Sequence, residues 1–564
     1  MSNPSISNKN FNTKIYKKYK KYRIPKTRKD FKSICFPKNY KLQIPQKFVA
    51  EFINPKTKYN GLLIFHQIGA GKTCAALNIA ENFKGKKKII IVTPASLVGN
   101  MYKEFLYGCL GNTYVNTEKI KSLNPKSKVY IDLMKKTEKE INKYYKILSY
   151  NKFINLIESK KLNLNNSILI IDEVQNIISE KGYYYTTFFN SIYKAKDNKV
   201  VILSGTPIFD KPNEIALTLN LLKLPKLIPT GSKFNELFLK KLDCTSTSKI
   251  CDYDLKNTKI LKDLLKGYVS YYRGAPPVAF PKKNIKLVYC NMSDYQYKSY
   301  ITVTDDEGFK SGQLLDMPNN FFLGSRIVSN IAFPQKKINE EGLDRLKGSY
   351  LKMSNLKTYS IKFYYILQKI KKAEGPIFIY SNFKNFGGVM SFTRVLDNNG
   401  YKNFLGYGEG KKRYAVWSGD NNRKQRDLIR NIYNQKSNKD GSKLSIILGT
   451  PSIKEGVSLL RVNQVHILEP YWNMSLLNQV IGRAVRFCSH KDLPKSKRYV
   501  NIYLYLSVYK NNKNTIDTYI WETAKKKNNI ITDLEKVIKE VSVDCKLNYN
   551  GNVYNKKENY KCIK

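Results

Sequence analysis

Residues 66–77 read HQIGAGKTCAAL. The apolar run GLLIF (61–65) precedes them, and TCAALNIAENF (73–83) follows with helical apolar spacing. A strand that passes through a glycine-bearing loop into a helix is the local arrangement of a phosphate cradle. Gly69, Ala70 and Gly71 let the backbone turn its N–H groups toward an anion, and the helix N-terminus favours negative charge there. In that geometry Lys72 reaches the β/γ-phosphates of ATP, the Thr73 hydroxyl holds Mg²⁺, and Cys74 completes the loop. His66 stands where the usual G-x-x-x-x-G-K-[ST] pattern has its first glycine, the least demanding position. It reads as a packing residue.

Working outward, KIIIVTP (88–94), SILIIDE (167–173) and KVVILSGTP (199–207) are further buried β-branched runs, each feeding a loop and then a helix. They predict a doubly wound α/β domain. A second series follows: GPIFIYS (375–381), KLSIILGTP (443–451), QVHILEP (464–470) and RYVNIYLYLS (498–507). The organisation expected is a basic N-terminal arm over 1–41, a first lobe over 42–285 and a linker or insertion over 286–354. A second lobe over 355–510 and a helical C-terminal extension over 511–564 complete it. The piece TDDEGFKSGQ (304–313) reads as a surface insertion.

ILIIDEVQNI (168–177) places two carboxylates at the end of a buried strand. That suits metal-assisted hydrolysis, with Asp172 toward the Mg²⁺ shell and Glu173 polarising the attacking water. Gln175 is placed to sense the γ-phosphate or nucleic acid. In the second series, EGVSL (455–459) carries Gly456, and NQVIGRAVRF (478–487) carries Gln479, Arg483 and Arg486. Spacing of three puts both arginines on one helix face, able to reach a phosphate across an interlobe cleft.

Composition bounds the partner. A hydrophobic content of 42 % is that of an ordinary globular chain, whereas 99 Lys+Arg against 44 Asp+Glu gives a net charge of +55. Such an excess calls for a polyanion, nucleic acid above all. From Lys14 to Lys32 ten Lys/Arg stand against one Asp, interleaved with Tyr16, Tyr19 and Tyr22, as in a poorly ordered backbone-tracking arm or a solvated tail. Nine Cys without a C-x-x-C pair, and only three His, predict reduced, buried thiols and no zinc site. No apolar run approaches a membrane span and the N-terminus has no apolar signal core, so a soluble, intracellular protein with no membrane partner is expected.

In order along the chain, HQIGAGKT, VTPASLV, DEVQ, SGTP, EGVSL and QVIGRAVR resemble motifs I, Ia, II, III, V and VI of a superfamily-2 helicase core, two RecA-like lobes clamping ATP. The resemblance spans roughly 42–545. Gln46, in IPQKFV, resembles the upstream glutamine that reads adenine in such enzymes. EPYWN (469–473) is similar to the W-N of Snf-type translocases, whose motif VI usually lacks the G-R found here. KGYVSYYRGAPPVAFP (266–281), GSRIVSNIAFP (324–334), VWSGD (416–420) and SVDCKLN (542–548) narrow the likeness to helicase-like ATPases of nucleocytoplasmic large DNA viruses, in the early transcription factor small subunit and nucleoside triphosphatase I group.

The resemblance implies ATP- and Mg²⁺-dependent translocation in viral early transcription, stimulated by DNA, with RNA the alternative track. Phosphate contacts near Thr93, Ser381 and Gly449 go with it. So do a larger transcription-factor subunit, docked on the 300s insertion or on residues 515–543, and viral RNA polymerase. The expected location is the virion and the cytoplasmic viral factory. The rival readings are a strand-separating RNA or DNA helicase, an ATPase-dead scaffold, and a packaging protein using charge alone.

Overall fold

The computed structural model describes residues 3–26, 30–37, 41–67, 69–242, 251–306, 322–336, 338–454, 457–510 and 514–563. It divides into two compact units. One comprises Met1–Leu242, Tyr253–Pro277 and Asn529–Lys564, the other Asp243–Asp252 and Val278–Asn528.

In the first unit, β1 (Gly61–His66), β2 (Lys88–Thr93), β3 (Tyr145–Ser149), β4 (Ser167–Asp172) and β5 (Asn198–Ser204) join the strand Val269–Tyr272 in one sheet. The order is β3-β2-β4-β5-β1 and then Val269–Tyr272, all parallel. Every residue of β1, β4 and β5 is buried, which explains why these strands read as unbroken apolar runs. Both β1 and β4 lie beside β5, so their C-terminal ends share one edge, where α/β sheets place their sites.

The second unit has a seven-stranded parallel sheet. Its order is Lys402–Asn403, Arg413–Trp417, Ile446–Gly449, Ile377–Tyr380, Gln464–Ile467, Tyr499–Val508, Lys282–Asn291. The last pair runs ten residues in register. The stretch read as a linker from 286 thus supplies an edge strand. It also supplies the helices Asp294–Asp306 and Leu323–Asn330, which Gln296 ties together by donating to the Val328 and Ser329 carbonyls at 3.0 and 3.2 Å. Most of TDDEGFKSGQ lies outside the described residues.

The N-terminal arm is not a loose tail. Phe11, Ile15 and Tyr19 recur every fourth residue from the helix Phe11–Lys18 onward and enter the first core beside Phe48 and Phe52. The Tyr19 and Phe48 rings meet edge to face at 5.3 Å. The lysines between them masked this stripe. The arm also meets the far end of the chain: Asn12 donates to the Val541 carbonyl (3.3 Å) and the Ile24 amide to that of Leu547 (2.9 Å). Along the helix Ile516–Val541, Ile516 and Ile520 pack with Trp472 in the second unit, and Leu534, Ile538 and Val541 are buried too. Its apolar face is therefore spent within the chain.

The cysteines correct the thiol reading. Cys74 pairs with Cys109 and Cys545 with Cys562, and Cys35, Cys251 and Cys488 are also disulfide-bonded, leaving Cys290 free among the described cysteines. Cys74 and Cys109 are 35 residues apart and Cys545 and Cys562 are 17 apart, so only the fold brings them together. Among the described residues no helix is long and apolar enough to cross a membrane.

Candidate functional site: a phosphate loop and an acidic strand end

The loop after β1 turns through left-handed backbone at Gly69 (φ 83°) and Gly71 (φ 70°) before the helix Lys72–Glu81 begins. Gly71 is required twice, for its φ and because a Cβ there would collide with Gln46 Nε2. Gln46 donates to the carbonyls of Gly71 (3.0 Å) and Ala70 (3.4 Å), while its Oε1 accepts the Gln43 amide at 2.7 Å. Both ends of this carboxamide are thus engaged, and it braces the loop. Ala70 is buried and Cys74 nearly so. Cys74 Sγ and Cys109 Sγ each lie 3.5 Å from Glu104 Oε2, which also accepts the Cys109 amide.

Lys72 points toward the end of β5: its Nζ stands 3.1 Å from where a Cβ on Gly205 would be. Asp172 closes β4 and is 5 % exposed, with Oδ2 accepting from Thr93 Oγ1 at 3.3 Å. Burial, and secondarily the Glu173 carboxylate, push Asp172 up to about 7, against the pull of Lys72. Glu173 sits in left-handed backbone (φ 52°, ψ 50°), pinned by the Tyr150 hydroxyl, which donates to the carbonyls of Asp172 and Glu173. A chain of hydrogen bonds then leaves the site. Gln175 Nε2 donates to Glu173 Oε2 (2.6 Å), Ser204 Oγ donates to Gln175 Oε1 (2.8 Å), and the Thr206 amide donates to Ser204 Oγ (3.0 Å). The first unit therefore brings Gln46, Gly69, Ala70, Gly71, Lys72, Thr73, Cys74, Asp172, Glu173 and Gln175 to one edge of its sheet.

His66 ends β1 fully buried, its Nε2 3.0 Å from Ser270 Oγ, and burial with the Lys72 charge drives it down to about 3. It is a neutral core residue.

In the second unit the helix Met474–Ala484 carries Gln479 and Arg483. Arg483 donates to the Gln479 and Val457 carbonyls (3.3 and 3.2 Å). The one-face expectation fails for Arg486, because Val485 leaves helical backbone (φ −91°, ψ 76°) and ends the helix first. Arg486 Nε instead donates to Ser458 Oγ at 3.0 Å, so both arginines grip neighbouring residues of one segment. Gly456 lies outside the described residues.

Thr93 and Ser381 are corrected as phosphate donors. Both are wholly buried, with their hydroxyls on Asp172 and Glu469 (3.0 Å). Spacing could not show that Thr93, Tyr150 and Ser204 support the acidic pair; only the strand order β2-β4-β5 places them beside it.

The SNF2-related domain family matches residues 17–343, the helicase conserved C-terminal domain 361–488, and the nucleoside triphosphatase I C-terminal family 490–562. A protein of Acanthamoeba polyphaga mimivirus named as an ATP-dependent RNA helicase is 46 % identical over 100 % of this chain and 99 % of its own. A protein of Invertebrate iridescent virus 3 named as a helicase is 29 % identical over 92 % of this chain, which spans about half (54 %) of that relative. A termination factor NPH-I homolog of African swine fever virus is 24 % identical, covering 86 % of this chain and 76 % of its own. Likeness to solved structures is slight. The SWI2/SNF2 ATPase core of Sulfolobus solfataricus in complex with dsDNA has a TM-score of 0.33 at 16 % identity over 83 % and 88 % of the two chains. The Hef helicase domain of Pyrococcus furiosus has 0.42 at 14 % over 85 % and 97 %. A chain with these domains hydrolyses ATP and binds nucleic acid, and it belongs to the SNF2-related, superfamily-2 helicase-type ATP hydrolases of large DNA viruses.

Proposed function

We propose that this ATPase is a DNA-stimulated translocase serving viral transcription. The observation that carries the motor reading is the hydrogen-bonded relay from Glu173 through Gln175 to Ser204 and Thr206, which ties the acidic pair to the end of the next strand. A change at the nucleotide's γ-phosphate would thereby be felt at SGTP, and a relay of this kind couples hydrolysis to movement when it has a second arrangement to switch to. Lys72 would neutralise the transferring phosphate and Glu173 would orient and deprotonate water.

The residues present fit Mg²⁺. Asp172 and the Thr73 hydroxyl are hard oxygen donors, and a buried carboxyl pushed toward its protonated form is one that a cation would restore to the anion. Mg²⁺ held there would neutralise charge building on the phosphates.

The transcription role is supported by the match of 490–562 to the nucleoside triphosphatase I C-terminal family and by the name of the African swine fever virus relative, a termination factor homolog. That name favours termination within the transcription cycle, on complexes holding viral RNA polymerase and a larger factor subunit, in the virion and the viral factory. The mimivirus relative's name favours a second reading, an RNA-strand separator. ATP turnover with double-stranded DNA, single-stranded DNA and RNA of equal length decides between them. Stimulation by double-stranded DNA without strand separation is expected; stimulation by RNA alone would replace the translocase with the helicase.

A further inference from the structure

The ATP-site residues occupy the C-terminal edge of the first sheet. Its N-terminal edge carries a different feature. The strands β3, β2 and β4 are neighbours and parallel, so the segments that enter them converge. Each is lysine-rich: KGKKK (84–88) enters β2, NKYYK (142–146) enters β3, and KK (160–161) precedes β4. Between them lies a cavity of about 590 Å³ lined by Lys86, Lys87, Lys88, Lys143, Lys146 and Lys161, with no acidic residue in the lining.

Four of these lysines are partly committed: Lys86 Nζ donates to the Asn82 carbonyl at 3.5 Å and Lys143 Nζ lies 5.4 Å from the centre of the Tyr144 ring. Lys87 pairs with Asp197 at 2.5 Å and Lys88 Nζ donates to Asn163 Oδ1 at 3.3 Å. Lys146 and Lys161 are exposed and, among the described residues, meet no carboxylate. The field reaches inward: burial first, and then the Lys87 ammonium, push Lys199 on the adjacent β5 down to about 8. Like charges gathered on one rim repel each other and weaken the fold, a cost that an anionic ligand would offset.

We propose that this cavity is a second nucleic-acid site, which grips the phosphates of a single strand at the sheet edge opposite the ATP loop. The lining contains no arginine, so it lacks the planar forks that fix carboxylates and phosphates in one bidentate geometry. Ammonium groups on long stems instead follow unevenly spaced phosphates and read no bases. The site is independent of the relay on which the translocase reading rests.

The test uses the full chain, a photoreactive oligothymidylate and a triple variant of exposed residues, Lys143→Gln with Lys146→Gln and Lys161→Gln. The unaltered chain should bind two strands and cross-link through 142–146 and 160–163. The variant should bind one, lose those cross-links, and show a salt slope shallower by about 2, as expected for three phosphates on a single strand. ATP turnover without nucleic acid should not change, and lysine-to-arginine replacements should restore binding. Unchanged stoichiometry and cross-links, or capture of polyglutamate in place of the oligonucleotide, would overturn the proposal. Failure of DNA to stimulate the unaltered ATPase would instead count against the translocase reading alone.

Discussion

Glu173 holds a backbone conformation that costs a non-glycine residue of order 1 kcal/mol, and Tyr150 and Gln175 hold it there. Strain concentrated on one carboxylate beside a phosphate loop fits a group aimed at a reacting water. Glu173→Gln should keep ATP binding and slow hydrolysis by about 10²–10⁴-fold, the span of a lost general base. Equilibrium binding of labelled ATP beside single-turnover hydrolysis checks it, and lost binding would make Glu173 structural. Lys72→Ala should fold normally, by circular dichroism, yet lose about 10²-fold or more in turnover; near-normal turnover would remove it from the site. Side-chain chemistry made Lys72, Thr73, Asp172 and Glu173 legible in the sequence. It could not show Gln46 bracing Gly71, since the two are 25 residues apart and a carboxamide suits many partners.

Elements were legible where burial is complete. The apolar runs at β1, β2, β4 and β5 announced themselves; β3 (YKILS) and VSYY are short, and KKNIKLVYCN mixes charge with apolar residues and leaves Ile285, Leu287 and Tyr289 exposed, so neither an unbroken nor an alternating pattern marks it. The C-terminal segment closes the first sheet through Asp544, which accepts from Ser270 Oγ (2.5 Å), the Tyr271 amide (2.9 Å) and Asn548 Nδ2 (2.8 Å). Burial raises Asp544 to about 6 against those hydrogen bonds. A raised carboxyl stabilises the fold most below its ordinary range, and that contribution is lost as pH rises through about 6. Thermal melts of the unaltered chain should therefore gain on those of Asp544→Asn between pH 7 and pH 4; parallel curves would refute the burial. Cys109→Ser opens a loop spanning 35 residues, and should cost up to about 4 kcal/mol under oxidising conditions and nothing under reducing ones.

Over the whole molecule, a charge of +55 sets how nucleic acid is held. With six or more phosphates neutralised, affinity for duplex DNA should fall about a thousandfold or more between 50 and 200 mM salt, whatever the sequence. Deleting the arm would be the wrong probe, since Phe11 and Ile15 are core residues and the loss would unfold the lobe. Replacing the exposed Lys14, Lys17, Lys20 and Lys21 by Gln keeps the core, and should flatten the slope by up to about 3 if the arm tracks the backbone. An unchanged slope would leave it a clamp only. The meeting of Ile24 with Leu547 has a bearing on biosynthesis. Phe11 and Ile15 belong to a core whose members Val543 and Leu547 follow the second unit in sequence, so that core stays incomplete while the second unit is translated. Nascent chains stalled before residue 529 should expose the first unit to protease, and chains extended past Asn548 should protect it.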